Sequence, residues 1–166
     1  MTITLEQVQG FYSELLDENG TEEQLLSQRI RLTESIYIHI DNKMEPSEEH
    51  IAEMAAALQK DIQLRDFVLG LASERPMESV IKYLACFINA VPDEFIAPVA
   101  SILASNIYST ENTDEAKAVL ARALQSNPSY SLANLLNRVF TSGWPSAAFV
   151  AMTHELHPKV KEGMGI

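Results

Sequence analysis

The chain predicts an all-α protein, a single-domain bundle of about nine helices, and three observations carry that expectation. Apolar residues recur at three- and four-residue spacing through most of the 166 residues, which is the period of one helix face. The seven prolines fall mostly between those runs, where a residue without an N–H punctuates helices. No pair of segments reads as partnered strands, and a lone strand has nowhere to place its backbone hydrogen bonds.

Thr4 caps a first helix to about Asp17, with Leu5, Val8, Phe11, Tyr12 and Leu15 on one face, and Asn19-Gly20 stops it. Thr21 and Gln24 have capping-box spacing. They open a second helix whose apolar positions are Leu26, Ile30, Thr33, Tyr37 and Ile40. Residues 36–40 are β-branched enough for a strand, but the missing partner favours a helix. Ser47 caps the third, with Glu48 and Glu49 in the first turn, where the helix dipole favours carboxylates. Ile51, Met54, Ala55 and Leu58 form its buried face.

After a bend near Asp61, a further helix buries Ile62, Phe67, Val68 and Leu71. Pro76 suits the first turn of the helix over 77–89, which turns Val80, Ile81, Leu84, Phe87 and Ile88 inward. Pro92 ends that unit, and a helix follows over 93–109 with Pro98 near its first turn. Thr113 caps the next, Pro128 closes it, and Ser129 or Tyr130 starts another reaching Thr141. Gly143-Trp144-Pro145 turns into a final helix over 146–157, ahead of a frayed Gly-Met-Gly-Ile tail. A weak seam at 41–47 makes residues 1–43 a semi-independent hairpin or clasp on a core over 47–157, within one domain spanning 1–166.

Acidic residues outnumber basic ones 23 to 12, for a net charge of −11. That surface repels nucleic-acid phosphates and anionic membranes, so neither is expected as a partner. A DNA mimic would carry the same charge, but a plain solubilising surface explains it far more often. No window approaches the ~18 uninterrupted apolar residues of a membrane span, and the first residues lack the basic-then-apolar order of a signal peptide. The single cysteine, Cys86, forms no internal disulfide, which points to the cytoplasm. Within Tyr83-Leu84-Ala85-Cys86-Phe87-Ile88 it reads as a small core hydrophobe rather than a nucleophile.

Residues 97–130 have the pattern of one tetratricopeptide-like helix hairpin. Leu103, Ala104 and Ile107 occupy its first helix, Ala116, Leu120 and Ala123 its second, and Pro128 the terminal position. The period does not extend, because Arg138 stands where the next unit needs a small residue; the chain is not a solenoid. A closer pattern runs through Leu64-Arg65-Asp66, Val91-Pro92, Ala97-Pro98, Leu103-Ala104 and Ala121-Arg122-Ala123-Leu124. It ends on Asn127-Pro128-Ser129-Tyr130-Ser131-Leu132-Ala133-Asn134-Leu135-Leu136. Over roughly 48–150 this resembles the C-terminal helical half of DUF4192, a family of unknown function. Longer members carry an N-terminal α/β half that this chain lacks, so Met1 is either a true start or the start of a fragment. The resemblance implies a helical fold and no chemistry.

No residue set reads as catalytic, and no cofactor or metal is expected. His154 and His157 sit three apart, which would let both meet one metal, but no third ligand accompanies them and they read as surface histidines. His39 and His50 offer no acid–base partnership, and Glu45, Glu48, Glu49 and Glu53 read as a solvated face. The residues singled out for interaction are Arg65 and Asp66, as an anion contact or a structural ion pair, and the aromatics Tyr130 and Trp144, as partner anchors or packing. The expected function is a non-enzymatic protein-interaction or scaffold module binding a protein partner or a second copy of itself as a dimer. The alternatives are a ligand-binding or enzymatic site built from Arg65, Tyr130 and nearby carboxylates, and an acidic regulator of a basic partner.

Overall fold

Side-chain caps start the first four helices. Thr4, Thr21, Ser47 and Asp61 each accept a hydrogen bond from an otherwise unpaired first-turn N–H. The computed structural model describes residues 2–17 and 19–166. Among these the chain forms nine helices and no strand, as expected. They are α1 (Leu5–Glu14), α2 (Glu22–Asp41), α3 (Glu48–Lys60), α4 (Ile62–Leu69), α5 (Met77–Ile88), α6 (Ile96–Ser109), α7 (Thr113–Ser126), α8 (Ser131–Ser142) and α9 (Ser146–Met164), with short 3-10 turns at Leu71–Ser73 and Asp93–Phe95.

The centre is α6. It carries no charged residue, and every position from Ile96 through Tyr108 is buried, as expected of a helix that is apolar all round. Ala97, Ala100, Ser101, Ala104 and Ser105 are small enough to let α3, α4, α5, α7, α8 and α9 all pack on it. Pro98 lies in the first turn, where the N–H it lacks has no intrahelical acceptor. Asn106 donates to the Ile102 carbonyl at 2.9 Å, but the buried Ser101 hydroxyl has no partner.

Several boundaries and faces differ from the sequence expectation. The first helix stops at Glu14, and Leu15 turns extended with its side chain in the core. On α2 the inward residues are Leu25, Leu32, Thr33, Ile36 and Ile40; Ile30 faces solvent. Ile62 is 60% exposed, and Leu64 takes its place inside, because the Asp61 cap sets a rotation that carries the first helical residue outward. Asn112, not Thr113, precedes α7. The last helix runs through Pro158 to Met164 and closes on Gly165 at φ 84°, a left-handed conformation that glycine adopts without a Cβ clash. Instead of fraying, the tail buries Met164 and packs Ile166 on the core.

The first forty residues are held by polar rungs as well as by a shared core. Ile3, Val8, Leu15, Leu32, Ile36 and Ile40 join the same apolar cluster as the later helices. Along α2, Arg29 pairs with Asp61 at 2.7 Å, Arg31 with Glu53 at 2.9 Å and Asp41 with Arg75 at 2.6 Å.

A Ser101→Ala substitution removes a buried hydroxyl that bonds nothing and improves helix propensity. It is expected to raise stability by about 1 kcal/mol, read as a higher urea midpoint at unchanged slope; a lower midpoint would show that the hydroxyl is bonded after all.

Candidate docking cleft

The turn Gly143-Trp144-Pro145 sends the chain from α8 into α9, yet the two helices barely touch. Both rest on α6, and α9 also runs along α4. Gly143 adopts φ 71° to make the turn. Tyr108, near the end of α6, holds the turn in place. Its ring stacks on Phe140 of α8 at 4.4 Å and meets Phe149 of α9 edge-on at 5.6 Å. Its hydroxyl donates to the Trp144 carbonyl, and Ser146 donates to the Tyr108 carbonyl at 3.0 Å.

The divergence leaves a cleft of about 620 Å³. One wall is Leu132, Leu135, Leu136 and Val139 of α8; the other is Phe149, Met152, Leu156 and Val160 of α9. Leu69 of α4 and Gly70, which caps that helix, form part of its floor. The surface is unusually apolar for a place open to solvent: Leu135 is 50% exposed, Leu156 47% and Trp144 44%.

Arg65, Asp66 and Trp144 all line this cleft, and Tyr130 stands behind Arg65. The Arg65 side chain folds back on its neighbour Asp66, at 2.8 and 3.0 Å, although adjacent helix positions start in different directions. The third guanidinium nitrogen of Arg65 donates to the Tyr130 hydroxyl at 3.3 Å. Burial works to lower the Arg65 pKa, but Tyr130 and Asp66 outweigh it and raise it; burial also raises the Tyr130 phenol, against the pull of Arg65. The result is a fixed guanidinium, paired with Asp66, in the lining of the cleft. The leucines, valines and Met152 of the walls were not singled out from the sequence, where they look like ordinary core residues.

His157 is not a surface histidine. It is 3% exposed, packs 5.4 Å from the Phe67 ring centroid, and places Nε2 2.7 Å from Glu74, while His154 faces solvent. Glu74 also accepts from the Tyr37 hydroxyl at 2.6 Å and from Lys161 at 2.8 Å. Burial pushes this carboxyl up, but hydrogen bonds from His157, Lys161 and Tyr37 prevail and bring it down to about 2. Gly70 lies under the imidazole: a Cβ there would sit 2.6 Å from His157 Nδ1. Among the described residues no group of three or more potential ligands could hold a metal.

The other two histidines do meet. His39 and His50 stack at 3.9 Å, and His50 Nε2 lies 2.7 Å from the Tyr83 hydroxyl. Burial, then His39, pushes His50 down to about 4, so His50 is a neutral packing element. Cys86 is half-buried rather than fully in the core, and burial pushes its thiol up, away from nucleophilic character.

The family model of DUF4192, a domain of unknown function, matches residues 6–147, and the chain belongs to that family. The match takes in α1 and α2, which the resemblance over 48–150 left out, and reaches only the start of α9. No curated protein and no solved structure matches the chain. No helix among the described residues is long and apolar enough to cross a membrane.

Two tests follow from these contacts. His50 titrates near 6.5 when unfolded and near 4 in the fold, so its contribution is complete above pH 6.5 and declines as pH falls toward 4. From pH 7 to pH 5 the wild type is expected to lose about 1.5 kcal/mol more than His50→Gln in urea melts, a figure discounted for partial exposure; parallel losses would refute the assignment. Gly70→Ala forces its Cβ against His157 and is expected to cost about 1–3 kcal/mol, with amide exchange in α9 accelerating first.

Proposed function

We propose that this protein is a non-enzymatic interaction module that receives an apolar segment of a partner protein in the cleft between α8 and α9. One observation carries the reading: two helices seated on a common platform turn matching apolar stripes toward space that no described residue fills. Contiguous exposed apolar surface of this kind marks docking sites. The groups with displaced pKa values support it from the other side. Glu74 and His50 spend their hydrogen-bonding capacity on holding helices together, which leaves neither of these two displaced groups open for acid–base work. On this reading α6 and α7 serve as a tetratricopeptide-like hairpin that buttresses the cleft, and the protein works in the cytoplasm, as its single cysteine suggests.

Arg65 and Tyr130 favour a second reading, a pocket for a small anionic ligand, because they hold a guanidinium in the cleft lining. A photo-crosslinking amino acid at Leu135, introduced in the native host, separates the two. The docking reading expects a discrete protein adduct from position 135 and none from exposed Lys117 on α7. A ligand pocket expects no protein adduct at either position.

A further inference from the structure

We infer that the occupant of the cleft is a single amphipathic helix of about three turns, with a carboxylate at the end that meets Lys159; this rests on the docking reading above. Wall geometry comes first. On α9, Phe149, Met152, Leu156 and Val160 follow three- and four-residue steps, and on α8 Leu132, Leu135, Leu136 and Val139 do the same. Each wall is therefore a ridge of the kind that a third helix interlocks with. From Phe149 to Val160 the α9 ridge spans about 16 Å at the helical rise, which matches about three turns.

Backbone chemistry selects a helix over an extended segment. Both walls are hydrocarbon, and the polar groups of the lining are concentrated on α4 and the C-terminal half of α9. A strand laid between them would press unpaired N–H and C=O groups against leucine and valine, whereas a helix bonds its own backbone. The size of the cleft argues against a second copy of this chain. A cleft of about 620 Å³ is small beside the roughly 800 Å² per partner of a standard protein interface, and each of the nine helices is already packed in the fold.

Charge sets the polarity. Asp66 is the one acidic side chain in the lining among the described residues, and it is tied to Arg65. Lys159 lines the cleft at the end marked by Gln63 and Gly163, and no described residue pairs with it. In a chain of net charge −11, an uncompensated cation beside an apolar slot selects a carboxylate on the partner. Trp144 marks the opposite end, so the partner helix lies with its acidic terminus away from Trp144.

Trp144 is the chain's one tryptophan, so its emission reports occupancy directly. The probes are two designed 14-residue helical peptides with leucines in a single three-and-four stripe and a glutamate at one terminus or the other. A peptide of the same composition with its leucines spread round the helix is the first control, and dodecanoate is the second. The full-length protein is expected to bind one striped peptide saturably in the micromolar range and the dispersed peptide at least about tenfold more weakly. Lys159→Glu should weaken that binding by about two- to fivefold, less at high salt, and a glutamate-to-lysine peptide should restore it. Leu156→Asp, at a half-exposed position, should abolish it while leaving the melting curve in place.

Equal binding of striped and dispersed peptides, saturation by dodecanoate alone, or no saturable change would each overturn the inference. If both peptides fail while the Leu135 crosslinker still traps a protein, the docking reading survives and the helix does not. If the crosslinker fails as well, both fall.

Discussion

A helix without a solvent face has to be surrounded, and α6 is such a helix. Its thirteen consecutive buried positions make six other helices share one support. Small residues then decide how near each neighbour comes, because alanine and serine let backbones approach where leucine would hold them apart. Sharing a support does not require the neighbours to touch one another. The last two helices meet α6 on either side of Tyr108, whose ring fills the space at their roots through Phe140 and Phe149. Beyond that wedge they diverge, so the cleft follows from how α6 is covered.

A single carboxylate ties the two ends of the chain to this assembly. Glu74 follows the 3-10 turn after α4 and receives hydrogen bonds from Tyr37 on α2 and from His157 and Lys161 on α9. Three donors on one partly buried carboxylate offset the desolvation that a lone charge would incur. Such an arrangement is more costly to break than it is stabilising to have, since loss of one partner leaves the remainder unpaired. The α9 helix depends on it, because only Phe149, His157 and Met164 of its nineteen residues are buried. Phe149 anchors its root, and the Glu74 cluster holds its middle.

Much of this was legible in the sequence, and the limits have physical causes. Caps are local chemistry, so Thr4, Thr21 and Ser47 could be read directly. The rotation of α2 could not, because Leu26, Ile30 and Ile38 give it a second apolar stripe beside the buried one, and only packing chooses between them. The last helix is expected from the sequence to end at 157, but it continues through Pro158, because one missing donor is tolerated in a helix fastened on both sides of it. His157 looked like surface because its partner lies 83 positions earlier in the chain. The candidate site divides in the same way. Arg65, Asp66, Tyr130 and Trp144 stood out by residue type, and the cleft brings three of them together with the fourth behind. Its leucine walls did not stand out, since helical periodicity reveals an apolar face but not whether anything covers it.

The family match locates the cleft's components unequally. Residues 6–147 include α4, α6, α8, Trp144 and the Arg65–Tyr130 contact, so the platform and one wall both fall within the matched region. The second wall, Lys159 and the His157 latch lie beyond it. Without α9, Leu132, Leu136 and Val139 would form an exposed ridge on α8 rather than one side of a slot. It is therefore α9 that gives the surface depth, length and a charged end, the three properties by which a groove discriminates between one helix and another. On the proposed docking reading, selectivity would reside in α9, a helix with few buried residues whose position is set by Phe149 and Glu74.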